Sequence, residues 1–264
     1  MKIKLFLISL IMLAFTYSGY CLKVATTLFP IADLISKIGK EKVDVVYLIK
    51  PGEDPHHFEP TIDDIKRLQG VSIYFAVDKR FDSFALKLAK KVLFLNDEIK
   101  SNNPHIWLSF ENMKQIGKIV SQKLCELDNK GCGFYKENYD ELLMEFNSLE
   151  NRYKFDNVKV LECHPAWTKF LAEVGITSVG YIKKGREHEP GIKTLNRVIN
   201  LAKKNGVKYI VCATNDKNKI FNKVANILNA KIIVLEPIGG YDGYTDIFKL
   251  FELNLNNLKK DINE

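Results

Sequence analysis

The sequence predicts an α/β protein of two lobes, each a four-stranded, mainly parallel sheet with flanking helices, joined by one long rigid helix. Three observations predict it. Short apolar runs alternate with helical patterns through the first half, the same rhythm returns in the second half, and a long amphipathic segment lies between them. The organisation is read as a leader over 1–21, a first lobe over 22–133, a linking helix over 134–155 and a second lobe over 156–264.

In the first lobe the strand candidates are 23–26, 43–49, 72–75 and 92–95, with helical stretches near 31–39, 62–69 and 82–90. Thr61 followed by Asp64 has the spacing of a capping box, in which each residue satisfies a backbone amide of the other. The second lobe offers strands near 158–163, 177–182, 208–212 and 231–235. Its helices are expected near 166–174, 191–204, 217–228 and 245–260. Between the lobes, Tyr139, Leu142, Leu143, Phe146, Leu149 and Tyr153 repeat at helical spacing, and 135–153 contains neither glycine nor proline. A helix of that length reaches about 30 Å, enough to pass from one lobe to the other.

Lys2 and Lys4 precede an apolar run from Leu5 to Phe15, followed by the small residues Thr16, Ser18 and Gly19. This is the pattern of a secretory signal. The run falls well short of the roughly 20 residues that span a bilayer, so an exported, soluble protein is expected. Bulky Tyr20 before Cys21 argues against lipid anchoring at that cysteine. The formal charge of +7 is dispersed along helical stretches such as 87–91, alternating with apolar residues, and gives no nucleic-acid-binding face. The cysteines form no paired zinc-ribbon pattern. In an oxidising compartment Cys125 and Cys132 are spaced for a short-range disulfide, whereas Cys163 and Cys212 end two core strands and read as buried thiols.

The chemistry concentrates in four short segments that each set a metal-ligand candidate beside a proline: Asp54-Pro55-His56-His57, Asn103-Pro104-His105, His164-Pro165 and Glu236-Pro237. Four of the five histidines lie in them. Proline stiffens such loops and pushes its predecessor toward extended geometry. His56, His105, His164 and Glu236 each follow the carboxyl end of a candidate strand, the edge at which open α/β sheets bind ligands. Two from each lobe point to a site in the cleft between lobes. Three imidazoles and one carboxylate suit a tetrahedral zinc ion.

These segments, in full Asp54-Pro55-His56-His57-Phe58-Glu59-Pro60-Thr61, Asn103-Pro104-His105-Ile106-Trp107-Leu108, His164-Pro165-Ala166-Trp167 and Leu235-Glu236-Pro237-Ile238-Gly239, resemble the four signature segments of the metal-binding solute-binding proteins of zinc and manganese ABC importers. The resemblance spans the mature chain. It implies that His56, His105, His164 and Glu236 hold one divalent ion, with His57 on a variable position, and that a monomeric periplasmic protein carries the ion to a membrane permease. The chain departs from the family pattern in three places. No histidine lies between Val77 and Pro104, Glu236 stands where aspartate is usual, and Asn103 replaces a common aspartate. Three nitrogens against one carboxylate favour Zn2+, one per chain, over Mn2+. A manganese-binding member, a secreted zinc hydrolase with Glu59 as base, and a surface adhesin are the alternatives. His188 reads as a surface histidine, Trp107 and Trp167 as core aromatics, and 241–244 as a turn.

Overall fold

The computed structural model describes residues 21–50, 53, 58–184, 189–216, 218–241, 244 and 246–263. Residues 1–20 of the leader read over 1–21, and with them the reading of a secretory signal, lie outside the described residues. So do His56, His57 and His188.

The first sheet is built from β1 (Leu22–Thr26), β2 (Val43–Tyr47), β3 (Ile73–Ala76) and β4 (Val92–Phe94), in the order β2-β1-β3-β4 with every pair parallel. The second comprises β5 (Val158–Glu162), β6 (Ile176–Tyr181), β7 (Tyr209–Ala213) and β8 (Lys231–Leu235), in the order β6-β5-β7-β8, again all parallel. The two lobes therefore share one topology although their sequences show no repeat. β3 shows why parallel strands read as continuous apolar runs: all four of its residues are buried, because both faces are covered.

The helices are α1 (Phe29–Gly39), α2 (Ile62–Arg67), α3 (Lys79–Asp82), α4 (Ala85–Leu88), α5 (Leu95–Glu98), α6 (Phe110–Leu127), α7 (Cys132–Arg152), α8 (Thr168–Glu173), α9 (Ile192–Lys204), α10 (Lys219–Leu228) and α11 (Ile247–Asn263). The Thr61–Asp64 capping box forms in full at the start of α2. The helix expected over 82–90 is interrupted. The Asp82 carboxylate folds back onto the amides of Val77 and Asp78, which ends one turn at Asp82 before the next begins at Ala85. α6 is an addition to the expected elements. Its Gly117 allows the Tyr139 ring of α7 to lie against it, since a Cβ there would come within 3.1 Å of Tyr139 Cε2.

The linking helix α7 buries Tyr135, Leu142, Phe146 and Leu149 against both lobes. Asn138 Nδ2 donates to Ile38 O of α1 at 2.9 Å. Phe146 meets Phe248 of α11 with centroids 4.8 Å apart and Phe110 of α6 at 6.2 Å. Phe110 in turn stacks on Phe251 at 4.4 Å and Phe170 at 5.9 Å. The apolar core thus runs without a break from one sheet to the other.

Two disulfides are present. Cys125–Cys132 joins the end of α6 to the start of α7, as the short spacing predicts. Cys163–Cys212 corrects the reading of two buried thiols. β5 and β7 are direct neighbours, and Cys163 N donates to Val211 O at 2.8 Å, so the residues just past the shared ladder face each other across one strand spacing.

Candidate metal site

His105 and His164 come from different lobes and meet. Their imidazole centroids are 4.6 Å apart with the rings edge to face at 75°. His105 stands on the loop after α5, ahead of the turn Ile106–Leu108, and His164 stands two residues past β5, so both occupy the carboxyl edges of their sheets. His164 is buried.

Asn103 sets the orientation of His105. Its Oδ1 accepts the His105 backbone N–H at 3.0 Å and lies 2.9 Å from His105 Nδ1. An oxygen that accepts from an amide is an acceptor for the ring as well, so Nδ1 carries the proton and Nε2 the lone pair. The other end of the same side chain, Nδ2, donates to Pro165 O at 3.0 Å, beside His164. One neutral amide therefore spans both histidine loops. An aspartate here could accept from His105 and could not donate to Pro165.

Further hydrogen-bonded links cross between the lobes nearby, among them Lys169 Nζ donating to Asn112 Oδ1. Trp107 Nε1 donates to Pro237 O at 2.7 Å, tying the turn after His105 to the segment after Glu236. Trp107 is buried and its ring centroid lies 5.4 Å from that of His105, so it is core and cleft wall at once. Glu173 of α8 accepts from Ser109 Oγ and from the amides of Phe110 and Glu111 at the start of α6. Trp167 is also buried, packed on Phe170.

Glu236 follows β8 directly and is buried. Asn254 of α11 clasps its backbone, with Glu236 N donating to Asn254 Oδ1 and Asn254 Nδ2 donating to Glu236 O, each at 2.8 Å. Its carboxylate accepts from Ile238 N, Gly239 N, Thr214 Oγ1 and Tyr241 Oη. Burial, and then the carboxylate beside it, push the Tyr241 hydroxyl above the ordinary phenol range, which keeps it a donor. Among the described residues, no three His, Cys, Asp or Glu side chains form a group that could hold a metal ion. The structure thus joins His105 to His164, and holds Glu236 within a hydrogen-bonded turn of its own.

Behind His164, Glu162 is buried and accepts from Trp167 N, Thr168 Oγ1 and Ser178 Oγ. Burial pushes its carboxyl up. It anchors the His164-Pro165 turn from below. Sequence reasoning missed Asn103, Glu162 and Tyr241 as supports. Their signal was only that each is a hydrogen-bonding residue within a few positions of a ligand candidate. Glu59 is exposed and lines a depression of about 940 Å³ at the end of β2, together with Tyr47, Phe58 and Arg67; none of His105, His164 and Glu236 lines it.

The sequence model of the family described as zinc-uptake complex component A, periplasmic, matches residues 24–261. The chain belongs to this family of periplasmic metal-binding proteins. The high-affinity zinc uptake system protein ZnuA of Bacillus subtilis is 24% identical over 285 residues, covering 92% of this chain and 88% of that protein. The manganese-binding lipoprotein MntA of Halalkalibacterium halodurans is 21% identical over 260 residues, covering 88% and 86%. In fold, the structure of the solute-binding protein FpvC of Pseudomonas aeruginosa in complex with Mn2+ matches with a TM-score of 0.79 at 22% identity, covering 92% of this chain and 98% of that one. No helix among the described residues is long and apolar enough to cross a membrane.

Proposed function

We propose that this family member is a periplasmic zinc-binding protein that captures one Zn2+ between its lobes and delivers it to the permease of an ABC importer. His105 and His164 form the centre of the ligand set, and His56 and Glu236 complete it. The observation that carries the reading is the contact of the two imidazoles across the lobes, with Asn103 on Nδ1 of His105 so that the ring's lone pair lies on Nε2. A pair of imidazoles, one of them buried, is a nitrogen-rich environment, which suits zinc better than manganese. The zinc-binding relative supports the same choice, and the manganese-binding one keeps Mn2+ as the competing cargo. The hydrolase alternative loses support because Glu59 lines a depression that none of His105, His164 and Glu236 lines. Isothermal titration of the metal-free protein with Zn2+ tests the reading. One tight site is expected, weakened strongly by His105→Ala or His164→Ala and little by His57→Ala; two equivalent sites, or none, would overturn it.

A further inference from the structure

The Glu236 carboxylate is saturated by its own lobe. Oε1 accepts from Ile238 N at 2.9 Å and Gly239 N at 3.0 Å, and Oε2 accepts from Thr214 Oγ1 at 2.7 Å and Tyr241 Oη at 2.7 Å. An ionised carboxylate offers about four lone-pair positions, so a metal ion must displace one of these donors.

The four donors are not equally held. The Ile238 and Gly239 amides belong to a turn fixed on both sides, by Asn254 on the Glu236 backbone and by Trp107 on Pro237 O. Gly239 adopts φ 69°, and a Cβ there would come within 3.0 Å of Tyr244 O, so the turn is pinned at its far end as well. Thr214 is anchored by its own amide, which donates to Leu235 O at 2.9 Å. Thr214 and Tyr241 are both exposed and both have a backbone hydrogen bond, but the Thr214 hydroxyl stands on Cβ and is fixed by the backbone. The Tyr241 hydroxyl stands at the far end of a long side chain whose ring packs on Tyr244 at 5.3 Å and can swing away. Tyr241 is the donor that leaves at least cost.

We propose that Tyr241 competes with the metal ion for Glu236, so that Glu236 coordinates through Oε2 alone and capture exchanges the Tyr241 O–H···Oε2 hydrogen bond for a metal–oxygen bond. The inference rests on Glu236 being a ligand. It makes Tyr241 a residue that sets affinity without touching the ion: in the metal-free protein it stabilises the carboxylate, and on release it returns to occupy the position the metal leaves. The competition loosens the site for a carrier that must give up its cargo.

The test uses the full mature chain and Zn2+ titrated against a chromophoric zinc chelator, with wild type, Tyr241→Phe, Glu236→Gln and the double variant. Glutamine keeps an oxygen for the two amides and puts a nitrogen, which cannot ligate, in place of Oε2. Tyr241→Phe is expected to bind Zn2+ about tenfold more tightly, the worth of one hydrogen bond to a charged acceptor. In the Glu236→Gln background the same change is expected to have no effect. Tyr241→Phe binding equally or more weakly while Glu236→Gln weakens binding would overturn the competition alone, as would a tightening that persists in the double variant. Glu236→Gln leaving affinity unchanged would overturn the ligand assignment and the competition with it.

Discussion

Glu173 of the second lobe caps a helix of the first through Ser109: its Oε1 accepts from Ser109 Oγ at 2.6 Å, and the same hydroxyl accepts from Asn112 N at 3.1 Å. Ser109 is thus a conventional N-cap whose hydroxyl proton points to the other lobe. Burial pushes the Glu173 carboxyl up, and its three donors partly offset that cost. Ser109→Ala should cost about 1 kcal/mol. Glu173→Ala leaves two helix-start amides and a hydroxyl unpaired in the interface and should cost about 2–3 kcal/mol. Urea midpoints of the two variants check this, and an equal loss for both would mean the cap works within one lobe only.

Asn103 holds His105 and Pro165 at once, so its removal should be felt at the metal. Asn103→Ala is expected to weaken Zn2+ binding by about 10–100-fold, the usual effect of deleting a partner of a ligating histidine. Asn103→Asp should split the two roles: a charged acceptor makes the imidazole more basic while the donor to Pro165 is lost. The Asp variant should therefore bind zinc better than the Ala variant yet unfold at lower urea than wild type, with chelator competition and urea titration as the readouts.

Stability should fall as pH rises from about 4 to 7, and Asp82 is the main cause. Burial pushes its carboxyl up to about 7, against hydrogen bonds from Val77 and Asp78 that lower it. The folded state therefore holds a proton that the unfolded chain releases near pH 4, so raising pH through this window favours unfolding. A displacement of that size amounts to a few kcal/mol. Asp82→Asn should flatten the slope and stabilise the protein at pH 8, as read by chemical denaturation at pH 5 and pH 8. An unchanged slope would show that Asp82 is ionised throughout.

The two disulfides should differ in worth. Closing a loop over a sequence separation of 49 for Cys163–Cys212 stabilises by about 4 kcal/mol on chain-entropy grounds, against about 2–3 kcal/mol for the separation of 7 in Cys125–Cys132. Alkylation of the denatured, unreduced protein followed by mass analysis should leave all four of these cysteines unmodified. Modification at Cys163 and Cys212 would restore the reading of two buried thiols.

The lobes should move little when metal binds. Asn103–Pro165, Trp107–Pro237 and Glu173–Ser109 cross between them around the site, and Ile247 N donates to Asp33 Oδ2 at 2.9 Å on another face. Small-angle scattering on metal-free and zinc-loaded protein is expected to give nearly the same radius of gyration. Compaction like that of a clamshell would mean these bonds break and re-form in each cycle.

The eight strands were legible because buried parallel strands are short apolar runs bounded by turns, and each lies within two residues of its expected limits at both ends. The linking helix was legible from spacing alone; against the expected 134–155 it begins two residues earlier, at Cys132, and ends at Arg152. What escaped depended on neighbours far away in sequence. Cys163 and Cys212 pair because β5 lies beside β7, an adjacency no local pattern reveals. Gly117 weakened the helical signal of α6, and its reason, the Tyr139 ring, is on another helix. At the site, the ligand candidates announced themselves by standing beside prolines, and the meeting of His105 with His164 followed from each standing past the carboxyl edge of its own sheet. The saturation of the Glu236 carboxylate did not, because Thr214 and Tyr241 reach it only in the folded chain, with Asn254 clasping its backbone.

The aromatic cluster of Phe110, Phe146, Phe170, Phe248 and Phe251 draws on the first lobe, the linking helix and the second lobe together. A chain cut between the lobes would open that cluster to water, so neither half is expected to fold by itself despite its complete sheet. Heating should then melt the molecule in one calorimetric transition, and a loss of packing at Phe146 would be felt in both sheets at once. The bilobal outline describes the surface, while cooperativity belongs to the whole.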